Sequence, residues 1–383
     1  MKLPSQRHVF EIPDDIAYLN CAYMSPQMRP AREAAGRALE RRAQPWKITP
    51  ADFFRETEEA RALFAELVGS DADGVAIVPS VSYGMAVAAA NVEVERGQKV
   101  VVLEEQFPSN VYCWRELGNR TGAKLVTVRR PADGEWTDAV LDQIDESTAV
   151  VSVPNCHWTD GTLLDLARIG DAARAAGATF VVDAIQSLGA YPLDVKEVRP
   201  DFLVCPSYKW LLGPYGLGFL WVDEKNRGGT PIEHNWINRA GSEDFAHLVK
   251  YRDDFQPGAR RYDVGERSNF ILLPMALAAL RQILSWGVEN ISETLADLTG
   301  LVEEEAAKLG MEATPASIRA PHMLGLRIGS RVPEDLATRL AGQGVYISVR
   351  GDSLRVSPHL YNTGEDVSRL FSALKEHVRV RSA

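Results

Sequence analysis

The sequence predicts an α/β protein, with a large domain on a mostly parallel sheet sandwiched by helices and a smaller C-terminal α/β domain. Three observations carry this. From about residue 75, short β-branched runs alternate with longer helical stretches, which is the rhythm of βα units. The runs VVVLEE, AKLVTV, TAVVSVPN, TFVVDA and DFLVCP are apolar almost throughout, as strands covered on both faces must be. Toward the C-terminus strands and helices become shorter and less hydrophobic, which sets the second domain apart.

Each element follows in order. Helical patterns at 31–43 and 51–68 belong to an N-terminal segment expected to pack across both domains. IVPSVSYGMAVAAA reads as a strand running into a helix. LLDLARIGDAARAAG reads as a helix closed by Gly177 and leading directly into TFVVDA. GLGFLWV is one further strand. The stretch 223–268, rich in Gly, Pro and charge, predicts irregular backbone. Helical patterns at 271–286 and 290–309 follow, then the short strands MLGLRI, VYISVR and SLRVSP and a final helix in EDVSRLFSALKEHV. The expected division is 1–274 for the N-terminal segment with the large domain and 275–383 for the small one.

Composition excludes several classes. With 383 residues, 45% of them hydrophobic, the chain can bury a sizeable core. A net charge of -10 repels polyphosphate backbones, so nucleic acid is not an expected partner. No apolar stretch approaches membrane-spanning length, and the first residues build no apolar leader, so a soluble cytoplasmic protein is expected. The 4 cysteines contain no C-x-x-C pair and the 7 histidines no H-E-x-x-H spacing, so neither a disulfide framework nor a metal site is expected.

In open parallel sheets ligands sit beyond the carboxyl ends of the strands. Two strand ends carry unusual residues. TFVVDAIQSLG ends a buried run on Asp183, with Gln186 three residues on, and DFLVCPSYKW delivers Tyr208 and Lys209 just past the next strand. Either residue alone is more often half of a structural ion pair. Together they meet two demands of pyridoxal phosphate: a lysine whose semi-apolar setting keeps its amine deprotonated for imine formation, and a carboxylate facing the ring nitrogen. The phosphate calls for backbone N–H groups at a helix start, which the Ser80–Ser82 junction supplies, and the ring for a flat partner, which Phe107 in VVLEEQFPSN supplies.

The segment VVDAIQSLGAYPLDVKEVRPDFLVCPSYKWLLGPYGLGFLWV resembles the signature of the class V aminotransferase family of fold type I pyridoxal-phosphate enzymes. The resemblance implies that Lys209 carries the internal aldimine, Asp183 pairs with the pyridinium nitrogen and Gln186 hydrogen-bonds the ring oxygen. The chain is also similar to the kynureninase and isopenicillin N epimerase-like branch. FPSN there implies Phe107 as the stacking residue with Asn110 beside it; SYK implies Tyr208 at the phosphate with Val81 and Ser82. ERSNFILL resembles the segment that reaches the phosphate from the other subunit, implying Asn269 in that role and a homodimer with active sites at the subunit interface. LRVSPHLYNTGEDV implies Arg355 as the grip on the substrate carboxylate.

Departures bear on the reaction. Desulfurases of this class use a cysteine on a mobile loop of the second domain, and no cysteine follows Cys205. In PNCHWTDGT, Trp158 stands where they carry an asparagine, which makes Trp158 a candidate substrate contact. His157 beside it is a candidate proton donor. The expected function is transformation of an amino acid by transamination or β-lyase chemistry. An epimerase is the alternative, and a non-catalytic cofactor-binding homologue is a further one. A dinucleotide-dependent oxidoreductase ranks last because no G-x-G-x-x-G follows the first strands.

Overall fold

The computed structural model describes residues 1–328 and 332–377. Its central sheet contains β1 (Val75–Val78), β2 (Lys99–Leu103), β3 (Lys124–Val128), β4 (Thr148–Pro154), β5 (Thr179–Asp183), β6 (Phe202–Pro206) and β7 (Gly218–Val222). Their spatial order is β1-β7-β6-β5-β4-β2-β3. The five strands from β6 to β3 are parallel, as the βα rhythm requires, whereas β7 runs antiparallel to both β6 and β1. The reason is local. Residues 207–217 join β6 to β7 without a crossover helix, and a parallel return needs a crossover of about a dozen residues or more. Two antiparallel steps restore direction, so β1 ends on the same edge as β5 and β6.

Helices cover both faces of this sheet. On one lie α1 (Arg29–Arg42), α2 (Asp52–Leu67) and, between β4 and β5, the helix Leu166–Ala175; on the other lie α3 (Val81–Ala90) and the helix Tyr112–Thr121. The two faces of the strands feed separate core clusters, with Val101, Val151, Val182 and Leu203 on one side and Val100, Val150, Val181 and Val204 on the other. That alternation explains the continuous apolar runs. α3 lies tight on β6 because Gly84 lacks a side chain: a Cβ there would be 2.7 Å from Cγ1 of Val204.

Residues 223–268 contain no strand and no α-helix, only three short 3-10 turns, in line with their composition. A buried charge cluster fastens them. Asp263 pairs with Arg61 of α2 and with Arg267, all three side chains fully buried, and also accepts from the backbone N–H of Ile77 in β1 at 2.7 Å. Arg267 is further held by Asn238 at 3.0 Å and Gln256 at 3.1 Å.

The helix Leu272–Trp286 packs on α1 and α2, with Leu273, Ala276, Leu280 and Ile283 in the core they share. After the helix Val288–Lys308 comes an antiparallel sheet of β8 (Glu312–Ala313), β9 (Leu324–Arg327), β10 (Ser348–Arg350) and β11 (Ser353–Val356), in the order β10-β11-β9-β8. The N-terminal segment touches both cores: Phe10, Cys21 and Met28 join the large one, while Ala17 and Leu19 join the cluster of the second sheet.

Removing Asp263 leaves the buried Arg267 guanidinium without a carboxylate partner and Arg61 with Glu58 alone, at 3.0 Å. Asp263→Ala is therefore expected to lower unfolding free energy by about 3–5 kcal/mol, read from urea titrations. Arg168→Ala, which breaks an exposed pair with Asp138, is expected to cost less than about 1 kcal/mol.

Candidate active site

The turn between β6 and β7 carries Lys209, and the fold buries it: only 6% of the residue is exposed. The N-terminal segment closes over this turn. Both the N–H and the hydroxyl of Ser25 donate to the Tyr208 carbonyl, at 3.0 and 3.1 Å, and the buried Cys21 thiol lies 3.9 Å from the Lys209 carbonyl. Loss of water pushes the amine of Lys209 down from 10.5 to about 7; the positive charge of Arg355 adds to the effect and the Asp183 carboxylate opposes it.

Asp183 ends β5 on the same sheet edge and is 2% exposed. Burial raises its carboxyl to about 6, against the pull of the Ile185 N–H, which donates to Oδ1 at 3.0 Å, and of the Lys209 charge. This acid has no cation in hydrogen-bonding contact among the described residues, so its buried carboxyl has capacity for a cationic partner.

Phe107 and Tyr208 flank the lysine, with Nζ 5.9 Å and 5.7 Å from their ring centroids. Trp158 meets Phe107 edge-on at 5.5 Å, and its indole N–H donates to the Glu105 carbonyl at 2.6 Å. Its own carbonyl accepts from Nη1 of Arg355 at 2.8 Å. Arg355 is 1% exposed, its Nε has no partner, and no carboxylate pairs with it among the described residues. A fixed guanidinium with an unused edge is suited to grip a carboxylate.

α3 begins where β1 ends. Ser80 caps it, its hydroxyl accepting from the Tyr83 N–H at 3.2 Å and lying 2.9 Å from the Ser82 hydroxyl. Val81 is buried and Ser82 is exposed at the first turn, which presents free N–H groups on the edge that carries Asp183 and Lys209.

Other sequence-based candidates have more enclosed or more distant settings. Gln186 is buried, with Oε1 accepting from the Trp210 indole at 3.1 Å and Nε2 donating to the Ala22 carbonyl at 3.3 Å, so one amide hydrogen is left for a further acceptor. Asn110 is fully buried; its Oδ1 accepts from Ser152 at 2.6 Å and Trp114 at 3.2 Å, and its Nδ2 has no partner. His157 is fully buried, stacked on Trp136 at 5.1 Å, with Nδ1 facing Thr159 and Arg130 at 2.8 and 3.2 Å. Burial, reinforced by Arg130, lowers its pKa to about 4, so the ring is neutral near pH 7. Asn269 is exposed at the start of the helix Leu272–Trp286, where its Oδ1 accepts from the N–H groups of Ile271 and Leu272. It faces outward among Phe53, Trp236 and Phe270, apart from the Lys209 cluster.

The structure adds residues that sequence reasoning missed. Trp210 orients Gln186, and His322 from the C-terminal part donates from Nε2 to the Gln186 carbonyl at 2.6 Å. Arg350 lies with its guanidinium 5.6 Å from the Trp158 ring centroid. Its placement was within reach of the sequence: in VYISVRGDSLR the two-residue Gly-Asp turn makes a hairpin, which sets Arg350 and Arg355 on one face.

Among the described residues no helix is long and apolar enough to cross a membrane, and no group of three or more His, Cys, Asp or Glu is placed to hold a metal ion.

Comparison with known proteins agrees with this geometry. The Aminotransferase class-V family model matches residues 49–370. An uncharacterized aminotransferase, YcbU of Bacillus subtilis (strain 168), is 30% identical over 326 residues, covering 84% of this chain and 83% of that one. A probable cysteine desulfurase of Methanothermobacter thermautotrophicus is 26% identical over 351 residues, covering 84% of each. Among solved structures, a C-DES mutant with glycine covalently linked to its PLP cofactor superposes with a TM-score of 0.88 at 18% identity, covering 96% of this chain and 98% of that one, which shows the shared fold. The chain belongs to the class V aminotransferase family, a family of pyridoxal-phosphate-dependent enzymes.

Proposed function

We propose that this enzyme binds pyridoxal phosphate at Lys209 and transforms an amino acid by transamination or β-elimination. The observation that carries the reading is the buried pair of Lys209 and Asp183 on one sheet edge, with the unpaired Arg355 within electrostatic reach of the lysine. The residues fit the cofactor. Val81 and Ser82 at the start of α3, with Tyr208, would hold its phosphate; Phe107 would cover its ring with Asn110 supporting the loop behind; Gln186 has one amide hydrogen for the ring oxygen. Bound there, the cofactor supplies an electron sink for the pair left at Cα.

The protein's own groups do the rest. Asp183 provides a fixed negative charge opposite the ring nitrogen, and Arg355 orients the substrate by its carboxylate with two parallel hydrogen bonds. Lys209, whose amine pKa burial lowers to about 7 so that a large share is neutral near that pH, takes the Cα proton at Nζ and returns it. Trp158 and Phe107 wall the space above and limit water. His157, neutral and enclosed with its ring nitrogens facing Thr159, Arg130 and the Glu104 carbonyl, serves this wall by position. The persulfide route open to desulfurases requires a second-domain thiol, and the last cysteine is Cys205, in β6.

The assembly follows from the same reading. Asn269, exposed beside Trp236 and Phe270, would contribute to a partner's phosphate site in a homodimer. All four cysteines are unpaired, which supports a reducing, cytoplasmic setting.

Two expectations follow. Neutral amine is the nucleophile, and the Lys209 pKa is lowered to about 7. Cofactor uptake by the apoprotein, followed by absorbance, should therefore rise about tenfold per pH unit up to pH 7 and level off above it. Arg355→Met should move the bend upward, because a repelling cation is lost, and Asp183→Asn should move it downward; a wild-type bend near pH 10 contradicts the assignment. The reaction itself is tested by supplying a panel of amino acids to the holoenzyme and measuring keto acid, pyruvate, ammonia and sulfide. Keto acid release with an amino acceptor marks a transaminase, and pyruvate with ammonia marks a lyase. No product from any amino acid overturns the reading. Arg355→Met is expected to raise the amino-acid KM by roughly 10- to 100-fold.

A further inference from the structure

The site holds more positive charge than the proposed chemistry uses. Ser348 pairs with Arg355 across β10 and β11, and Arg350 pairs with Ser353. Strand side chains alternate between faces, so Ser348, Arg350, Ser353 and Arg355 share one face, with the two arginines as diagonal neighbours. The turn between the strands consists of Gly351 and Asp352 alone, and Gly351 takes φ +59°, a conformation that suits glycine. This tight turn fixes the spacing of the two guanidinium groups.

Arg350 has no counter-ion among the described residues. Its Nη1 donates to the Val349 carbonyl at 2.8 Å, its Nε is buried without a partner, and among the described residues no carboxylate pairs with it. Its guanidinium faces the Trp158 ring at 5.6 Å, and Trp158 in turn touches Phe107 and holds Arg355. Arg350 also lies close enough for its charge to disfavour protonation of both Lys209 and Arg355. Of the negative groups available, Asp183 is taken by the cofactor ring and a substrate α-carboxylate by Arg355. One cation remains, held over the Trp158 ring within electrostatic reach of Lys209 and Arg355.

We infer that Arg350 is a specificity-determining residue that selects amino acids carrying a second anionic group, a carboxylate or a sulfinate, on the side chain. This rests on the amino-acid reading above. An anion bridging to Arg350 satisfies its idle Nε and relieves the repulsion between the two neighbouring guanidinium groups. A neutral side chain leaves both as they are.

Succinate and propionate separate the contribution of a second carboxylate from turnover. By isothermal titration of the holoenzyme, succinate is expected to bind about tenfold or more tightly than propionate. Arg350→Gln should bring the ratio to within about threefold while leaving propionate unchanged, and Arg350→Lys should keep part of the preference. Melting curves confirm that the variants are folded, and the wild-type ratio tests the inference without any variant. In parallel, aspartate and alanine are titrated against the visible absorbance of the holoenzyme. Aspartate should saturate at lower concentration in the wild type and lose that advantage in Arg350→Gln. Equal binding of succinate and propionate by the wild type, or an equal loss for alanine and aspartate in the variant, overturns the inference. An alanine-induced spectral change with no aspartate preference sinks only the role of Arg350, whereas the absence of any change with either amino acid sinks the amino-acid reading itself.

Discussion

Everything in this site depends on withdrawing one amine from water. Lys209 would be charged at neutral pH on a surface, and the fold places it where burial and a neighbouring guanidinium hold it near neutrality. That placement requires three things at once: a turn that passes directly from β6 to β7, an N-terminal segment that seals the turn through Ser25 and Cys21, and a C-terminal hairpin that brings Arg355 close. No single element supplies the environment, so parts of the chain more than 300 residues apart in sequence must meet to form it.

The same construction explains why charged groups in this protein divide into two kinds. Asp263, Arg61 and Arg267 form a buried cluster of directly paired opposite charges that fastens the irregular 223–268 stretch to the sheet edge. Asp183, Lys209, Arg350 and Arg355 are buried or half-buried with capacity left over. Buried charge paired with its opposite holds structure together, while buried charge without a counter-ion invites a ligand. The contrast matters because both clusters are withdrawn from water, and a counter-ion in direct contact is what tells them apart.

Much of this was legible in the sequence. The five parallel strands and the irregular stretch after β7 follow from apolar runs and composition, because covered strands must be apolar throughout. Asp183 and Lys209 stood out because each ends such a run. The antiparallel return of β7 was not stated in advance, although the short 207–217 connection contains it. Arg350 was missed for a different reason. A lone arginine on a short strand reads as solvated surface until the register across Gly351–Asp352 places it beside Arg355. Gln186 and His322 show a further limit: the residues that orient Gln186, Trp210 and His322, reach it through tertiary contacts that no local pattern announces.

The central claim is that this amine, and no other, holds the cofactor. Reduction of the holoenzyme with borohydride followed by proteolysis and mass spectrometry tests it directly. The account predicts a phosphopyridoxyl group on the peptide containing Lys209 and on no other lysine; a label on a different lysine, or a fully labelled Lys209→Ala protein, contradicts it.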